Sequence, residues 1–536
     1  MKKNIYLFRN TFVITSLLFL GSCRSTDTEN TINGNGISAV SFNLIGTDYG
    51  DSGKLSGQAS IGKGGIPNSD NDVQRHSVLI TPSSIITAEL PQASPLSKVS
   101  AKASLGSNSI AAISGNPITS GVKFRIIAYR QSNGSYHTHQ DYTVGQPAVP
   151  MMLDNGASYN IVAYSYGTST LPSISSGEQN NISSASVNYD DNNQDFMYQK
   201  IPFTPTNSTN TLNITLRHKV AQITTIVNAG NLGNITNITG GLLTPHYSNG
   251  VVSLSSGVMS GRTTLSSGSA LNFSGLNTTT ATAAPVFVNA DTGGNKGGGF
   301  SAAITIAGNT KTISLPNSFK ITPENKSYLT INLMKCGAYV GANIYPENYK
   351  EFMCQNLGAT LGIDPFSPEA GNHGAKYQWG AQTNENGRYI SQAVDQSNSG
   401  AISGWDATAK PDGSWSDTSK TANDPCPPGY RVPTDAQWQA VISNNNVERV
   451  GSWNNDGNYT TALYFRNPSN VRTLMLPAAG YRFNADGALN FRGYDGRYWS
   501  SSVAASNAGY LLFDSSSVNV YYFDRTNGFS VRCIAE

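Results

Sequence analysis

The sequence has few charged residues and few cysteines. Only 13% of the 536 residues are charged, against about 25% in an ordinary soluble domain. If a leader segment carrying Lys2, Lys3 and Arg9 is removed, 32 of the 35 basic residues remain against 33 acidic ones. A chain so close to neutral lacks the positive field that neutralises phosphates, which excludes nucleic acid as the partner. The 26 Tyr and 19 Phe residues still supply the apolar surface of a folded core.

The sequence also lacks the short motifs of common catalytic and metal sites. It contains no HExxH, no GxSxG and no GxxxxGK[ST]. The close CxxC pairs that are typical of zinc sites are absent as well. We therefore expect a protein that is not an enzyme and that holds no cofactor and no metal.

The N-terminal segment has the pattern of a lipoprotein signal peptide. Basic residues precede the uncharged run 11–20, which is about half the length that a transmembrane helix needs. The run ends in Leu20-Gly21-Ser22-Cys23, which resembles the lipobox of the lipoprotein signal peptidase. The resemblance implies that residues 1–22 are removed and that Cys23 carries the lipid anchor. A secreted protein cut nearby, with Cys23 incidental, is the alternative.

The segment after the anchor carries two acidic residues. Asp27 and Glu29 follow Cys23 closely, as in the surface-export signals of Bacteroidetes lipoproteins, which this segment resembles. A solvated linker over residues 23–45 is the alternative. We expect an outer-membrane lipoprotein exposed at the cell surface, with the periplasmic face as the other location.

Composition changes abruptly near residue 335. All six Trp residues and four of the five Cys residues lie in the last 201 positions, and residues 24–335 contain neither type. An even number of cysteines in an exported chain indicates two disulfides, and four cysteines allow three pairings. These four are Cys336, Cys354, Cys426 and Cys533.

Residues 24–335 show strand patterns separated by Gly, Asn and Ser turns. In VKFRIIAYR (122–130) the apolar residues alternate, which predicts one inward face. In the run 212–227, apolar positions are even up to Val220 and odd from Ala221. This parity switch predicts either a bulge or a strand that changes sheets.

Segments 121–130, 141–145, 158–172 and 211–227 resemble the fimbrillin-like family of Bacteroidetes surface proteins. The resemblance covers about residues 38–335 and implies two tandem transthyretin-like β-sandwiches, here residues 46–200 and 201–335. It also implies growth by strand donation after a protease removes an N-terminal strand. Arg75, which is expected to lie in a polar loop, DNDVQRHS, is a candidate site for this cleavage.

The C-terminal residues 336–536 resemble the FISUMP family, the Fibrobacter succinogenes major paralogous domain. The motifs that carry this resemblance appear in order: CGAY (336–339), EFMCQNLGA (351–359), GAKYQWG (374–380), CPPGYRVPTDAQW (426–438), LPAAGYR (476–482), GRYWSSS (496–502) and GFSVRC (528–533). The family implies an α+β domain related to C-type-lectin-like and formylglycine-generating-enzyme-like folds. The motif order suggests that Cys426 pairs with Cys533 and Cys336 with Cys354.

Local sequence patterns in this region agree with a domain that contains both a helix and strands. Thr434 and Gln437 have the spacing of a capping box, which predicts a helix beginning there. Residues 510–513 and 518–523 predict a hairpin.

Three groups of residues are candidates for binding. Tyr494, Tyr498 and Trp499 could stack on sugar rings or belong to the core. The triplet 346–348 and the segment 453–456 each differ by one change from calcium-sugar motifs of lectins, and turns are the favoured interpretation.

Three histidines also have candidate roles. His137 and His139 share one strand face, where a metal site competes with the favoured polar strand edge. His218 lies on the inward parity of its strand and is expected to be a hydrogen-bonded core residue.

These observations predict a surface-anchored fimbrillin-like lipoprotein, a tip or accessory fimbrial protein that presents a C-terminal binding domain. Its expected partners are the membrane, other fimbrial subunits and a glycan or surface ligand. A free-standing glycan- or matrix-binding lipoprotein that does not polymerise is the alternative. An enzyme of the formylglycine-generating type is a third and weaker hypothesis, because it needs reactive thiols.

Overall fold

A computed structural model describes residues 36–50, 73–91, 116–191, 195–207, 209–342, 346–468 and 470–536. The chain is mainly β, as the apolar alternation predicts. The predicted signal peptide, Cys23, Asp27 and Glu29 lie outside these ranges. Within them, no helix has the length and apolar character needed to cross a membrane.

The strands are short and are numbered here in chain order. Strands β1 to β11 are Ile37–Asp48, Val73–Thr81, Ser84–Pro91, Lys123–Arg130, Tyr136–Thr143, Met151–Asp154, Tyr159–Ser165, Ser186–Asp190, Met197–Phe203, Asn210–His218 and Ala221–Asn228. Strands β12 to β21 are Ile235–Thr244, Asn249–Ser253, Met259–Ser260, Ser269–Ala270, Phe273–Ser274, Thr280–Ala283, Val286–Val288, Gly298–Ile306, Asn309–Phe319 and Lys326–Lys335.

The C-terminal part adds further strands and two helices. Strands β22 to β36 are Gly337–Tyr339, Tyr349–Glu351, Lys376–Gln378, Tyr389–Ile390, Tyr430–Arg431, Asn446–Val450, Ala462–Arg466, Arg472–Pro477, Tyr481–Arg482, Leu489–Asn490, Gly496–Ala504, Asn507–Phe513, Val518–Asp524, Gly528–Phe529 and Ile534–Ala535. Helices α1 and α2 are Gln392–Ser397 and Asp435–Asn444.

The described residues before 336 form four sheets, the smallest of which has the strand order β14-β13-β8. The first sheet has the strand order β5-β4-β7-β9-β10-β1-β6. The second has the order β16-β17-β11-β21-β3-β2, and the third has the order β15-β12-β19-β20. Apolar side chains of the second and third sheets, such as Ile331 and Phe300, share one core. These two sheets therefore form a sandwich.

The run 210–228 changes sheets. Ile214 and Leu216 of β10 are buried in a core of the first sheet, whereas Ile223 and Val227 of β11 are buried between the second and third sheets. Of the two outcomes that the parity switch predicts, the structure shows the change of sheet. The chain therefore joins two cores within a few residues.

Strand β4 differs from the prediction, because both of its faces are buried. Phe124 and Ile126 face one core, as expected, but Ile127 and Tyr129 are buried in a second core on the other side. Tyr189 of β8 belongs to that second core. Alternation along a single strand does not reveal this second covering layer.

Strands β2 and β3 belong to the second sheet, where β3 pairs with β21. They precede β4 in the chain, inside the unit predicted over 46–200. Arg75 therefore lies in β2 and not in a loop, and its guanidinium donates to Glu89 at 2.9 Å. The expectation of an open cleavage loop at this position is wrong, because β2 is paired along its length with β3.

The C-terminal part contains the predicted helix and hairpin. The Thr434 hydroxyl accepts from the Gln437 backbone N–H, and the Gln437 side chain accepts from the Thr434 N–H. Trp438 and Val441 of α2 are buried. Strands β33 and β34 form the hairpin, with Tyr510 opposite Tyr521.

Candidate ligand-binding surface

The four cysteines of the C-terminal part form two disulfides. Cys336 is bonded to Cys354 and Cys426 to Cys533, over sequence separations of 18 and 107. The second disulfide ties the segment before α2 to the end of the chain. All four sulfur atoms of these cysteines are therefore engaged in disulfides.

Two of the three predicted stacking aromatics are buried. Tyr498 and Trp499 have no exposed surface. The Tyr498 hydroxyl donates to the Pro477 carbonyl at 2.8 Å, and the Trp499 indole N–H donates to the Tyr377 carbonyl at 2.7 Å. Both side chains are core residues and are not available to stack on a ligand. Tyr494 remains 40% exposed.

Tyr494 lies at one end of a row of aromatic rings, whose innermost member, Tyr481, is only 7% exposed. The ring centre of Tyr494 is 5.7 Å from that of Phe491, which is 6.0 Å from Tyr481. On the neighbouring hairpin, Tyr521 and Phe523 are 44% and 37% exposed. We call the set Tyr481, Phe491, Tyr494, Tyr521 and Phe523 the aromatic patch.

The Arg497 side chain joins the two halves of the aromatic patch. Its guanidinium carbon lies 3.7 Å from the centre of the Tyr481 ring and about 6 Å from the centres of Phe491 and Phe523. Such cation–π contacts hold the rings in fixed positions around the cation. The hairpin and the loop that carries Tyr494 are therefore connected through one side chain.

A buried carboxylate holds Arg497 in place. The Arg497 Nη2 donates to Asp495 at 2.9 Å. Burial raises the pKa of Asp495 to about 6, although Arg497 opposes this shift. The pair is largely shielded from water, so the position of the guanidinium is well defined.

Polar groups border the aromatic patch. The Asn519 amide lies 3.5 Å from the Tyr521 hydroxyl, and the Asn484 amide donates to Asp524 at 3.3 Å. Burial raises the pKa of Asp524, but hydrogen bonds from Thr526 have the larger opposite effect. The pKa of Asp524 is therefore below its ordinary value, and the carboxylate is ionised at neutral pH. Aromatic faces beside amides and a carboxylate suit a sugar, which presents C–H groups to rings and hydroxyls to polar side chains.

A run of three consecutive aromatic residues in β34 indicates this surface in the sequence. Tyr521, Tyr522 and Phe523 are consecutive in a strand, so alternation must place aromatics on both faces. Tyr522 indeed points the other way, where its hydroxyl donates to Asp435 at the start of α2. All three rings are more than a third exposed, so the strand presents aromatic side chains to solvent on both faces.

A second group of buried charges supports the fold nearby. The Asp395 carboxylate accepts from Arg482 at 2.8 Å and from Arg492 at 2.9 Å, and Lys376 lies 3.4 Å away. Burial raises the pKa of Asp395, but the three cations outweigh it and leave the pKa low. Burial lowers the pKa of Lys376 to about 8. Enclosed by the core, this group has a structural role.

The candidate lectin-like segments are turns. Residues 346–348 form a single turn of 3₁₀ helix. Trp453 has a positive φ of 49° at a bend, and its ring packs on Phe513 at 6.2 Å. Across the described ranges, no three His, Cys, Asp or Glu side chains are grouped so as to hold a metal ion.

The histidines have partners within the protein. His137 lies 3.4 Å from Arg130, and His139 accepts or donates a hydrogen bond with Tyr136 at 2.7 Å. His218 is buried and bonded to Asp195 at 2.6 Å, as expected of a hydrogen-bonded core residue.

Comparison with known proteins places the aromatic patch inside a matched segment. Residues 453–534 match the model of a domain of unknown function, DUF8237. No curated protein matches the chain. The match contains all five aromatic-patch residues and Arg497.

Solved structures resemble part of the chain. One is a candidate cell adhesion protein from Bacteroides uniformis, with 15% identity, a TM-score of 0.29 and coverage of 40% of this chain and 90% of that one. A candidate adhesin from Bacteroides thetaiotaomicron has 10% identity, a TM-score of 0.27 and coverage of 40% and 86%. Candidate polysaccharide-binding proteins from the same species have 8% identity, a TM-score of 0.24 and coverage of 42% and 91%. At such TM-scores the likeness carries no conclusion about function.

Proposed function

We propose that this chain is an adhesive surface protein, anchored by lipid at Cys23, whose C-terminal part binds glycans through the aromatic patch. The aromatic patch carries this proposal. Three of its rings are more than a third exposed, and two of these, Tyr521 and Phe523, pack on Tyr510 of β33, while Phe523 also lies 6.0 Å from the Arg497 guanidinium carbon. A rigid exposed aromatic surface is a common form of binding site on a soluble protein.

A binding role without catalysis fits the chemistry of the aromatic patch. Asp495 is paired with Arg497 beneath the rings, and Asp524 is held by amide and hydroxyl groups. The Thr526 hydroxyl that donates to Asp524 at 2.7 Å belongs to a residue that is only 4% exposed, so a ligand on the aromatic patch does not reach it. The aromatic patch therefore offers recognition and no evident reaction.

Binding to a glycan array tests the proposal with the mature full-length protein. The double substitution Tyr521→Ala/Phe523→Ala should weaken binding about tenfold or more, because stacking faces are lost. Tyr328→Ala is a matched control, since Tyr328 is an exposed aromatic on β21, far from the aromatic patch in sequence. Unchanged binding in the double variant, or equal loss in the control, would show that the aromatic patch is not the site.

A position at the tip or in an accessory place of a fimbria is the second part of the proposal. Strand β1 lies between β10 and β6, parallel to β10, and buries Val40 and Phe42. Removal of such an N-terminal strand opens a place that a strand of another subunit can fill. Strand β21, the last strand before residue 336, is paired on both sides with β11 and β3 and is not free for donation to another subunit, which favours the end of a filament.

Immunogold labelling of intact cells with antibodies against residues 336–536 tests this location. Gold at filament ends would support the tip or accessory position. Gold spread evenly without filaments would favour a free-standing lipoprotein. Labelling only after lysis would contradict the surface location.

A further inference from the structure

A second concave surface lies away from the aromatic patch. A cleft of about 880 Å³ separates the outer face of the second sheet from the C-terminal part. Its size falls in the range of small-molecule sites, about 300 to 1,000 Å³. Its walls come from β2, β3, β11 and β21 on one side, and from the segments 362–369 and 466–473 on the other.

The floor of the cleft is a ladder of uncharged polar side chains. Ser77, Thr87, Asn332 and Asn228 are cross-strand neighbours on four adjacent strands. The Ser77 and Thr87 hydroxyls are 2.9 Å apart, and the side-chain amide of Asn228 donates to the side-chain oxygen Oδ1 of Asn332 at 3.2 Å. Each group can still take part in further hydrogen bonds, because hydroxyls and amides have several donor and acceptor positions.

A second row of cross-strand neighbours runs across β2, β3 and β21. Arg75 faces Glu89, and Glu89 faces Thr330. Glu89 accepts from Arg75 at 2.9 Å and from the Asn332 amide at 3.2 Å. The two rows are thus connected, and the floor is a preorganised surface of planar amide, carboxylate and guanidinium groups.

The opposite wall offers similar groups. Asn467 and Asn470 line it from the turn between β28 and β29, Thr473 lines it from β29, and the rings of Tyr339 and Tyr349 line one end. These two rings are 5.2 Å apart. Amides, hydroxyls and aromatic rings therefore face the cleft from both sides.

Four of the five lysine and arginine side chains that line the cleft pair with carboxylates, and the fifth, Lys296, donates to the Arg75 carbonyl at 3.0 Å. Arg75 pairs with Glu89, Lys335 with Glu351, and both Arg466 and Arg472 with Glu448. Asp364 accepts from the Ser77 backbone N–H at 2.8 Å. A strongly charged ligand would have to displace these pairs, whereas a neutral polyhydroxyl ligand needs only the hydrogen bonds that remain.

We propose that this cleft is a second binding site, separate from the aromatic patch, and that it takes a short neutral oligosaccharide. The floor contacts one side of the ligand and the C-terminal wall the other. Because both parts of the chain contribute, this site exists only in the assembled protein.

Titration calorimetry of the mature full-length protein tests this proposal, with neutral tetrasaccharides of glucose, xylose and mannose as probes and a sulfated tetrasaccharide as comparison. Thr330→Trp should abolish binding by filling the cleft. Asn332→Ala should weaken it about three- to tenfold, the loss expected of one or two neutral hydrogen bonds.

The chain offers matched controls on the first sheet. Asn43 and Asn213 form the same kind of pair across parallel strands, at 3.0 Å, on an exposed face. Asn213→Ala and Thr215→Trp should leave binding unchanged and should report any general effect on folding.

The result distinguishes this site from the aromatic patch. If the Thr330→Trp variant no longer binds the neutral tetrasaccharides and the Tyr521→Ala/Phe523→Ala variant still does, the cleft is the site that binds them. The reverse pattern overturns it and leaves the proposed function standing. Binding of the sulfated probe alone, or of none of these probes, also overturns it.

Discussion

The hydroxyl of Tyr430 lies 2.8 Å from the hydroxyl of Ser83, although 347 positions separate the two residues. Ser83 lies in the turn between β2 and β3, and this turn is bonded to the first disulfide of the C-terminal part. The Cys336 N–H donates to the Ser83 carbonyl at 2.7 Å, and the Cys354 N–H to the Pro82 carbonyl at 2.7 Å. The β2–β3 turn therefore fixes the C-terminal part against the second sheet.

Substitution of Ile85 should weaken this junction. Ile85 is 1% exposed and packs with Cys336, Cys354 and Phe366. Ile85→Ala should lower the free energy of unfolding by about 2 to 5 kcal/mol, because it removes buried methyl groups and leaves a cavity. Urea unfolding measures the loss. Ile80→Ala, at a 38% exposed position of β2, should cost under about 1 kcal/mol. Equal losses would contradict the role of the junction.

The two disulfides should stabilise the chain to different extents. In the chain-entropy model, closing a loop of about 100 residues contributes about 4.7 kcal/mol and a loop of about 15 residues about 3 kcal/mol. The separations here are 107 for Cys426–Cys533 and 18 for Cys336–Cys354. Cys426→Ser/Cys533→Ser should therefore cost more than Cys336→Ser/Cys354→Ser in urea unfolding. The opposite order would show that native contacts outweigh loop length.

Lys376→Met should remove a pH dependence of stability. Burial lowers the pKa of Lys376 from 10.5 to about 8. Between these pH values the unfolded chain keeps a proton that the folded chain has released, so this lysine makes stability rise with pH. From pH 8 to 10.5 the free energy of unfolding of the wild type should gain about 3 kcal/mol over that of the variant. Lys311→Met, at an exposed position, should show no such change.

Arg497→Met should destabilise the protein more at high pH than at low pH. Asp495 has a pKa of about 6, so it is neutral at pH 5 and charged at pH 8. Without Arg497 the charged form is buried alone, which should cost about 3 kcal/mol at pH 8. At pH 5 the loss should be smaller. At pH 8 the double variant Asp495→Asn/Arg497→Met should be more stable than Arg497→Met alone. If it is not, the loss of stability comes from the lost contacts between Arg497 and the aromatic rings.

Several features could be predicted from local sequence because local physics decides them. The capping box at Thr434 depends on two side chains three residues apart, and the hairpin 507–524 depends on a short turn between two apolar runs. The parity switch near Val220 predicted a bulge or a change of sheet because alternation reports which face is buried, and the structure shows the change of sheet. Such signals need no knowledge of distant partners.

Other features were decided by contacts that are distant in sequence. Alternation could not show that Tyr498 and Trp499 are buried while Tyr521 and Phe523 are exposed, since all four have apolar rings in strands. Which ring is covered depends on whether another layer packs on that face, and Phe529 covers Trp499 at 4.1 Å between ring centres. The placement of Arg75 in a paired strand also depended on its distant partners.

The mainly β class, an irregularity near residue 220 and the helix that begins after Thr434 could be predicted without the structure, because each follows from periodicity or from groups within one turn. Only the tertiary structure decided which aromatic rings meet around Arg497 and which polar strand faces the cleft. Those relationships arise when separate sheets pack, and packing brings together residues whose order in the chain does not reveal their distance in space.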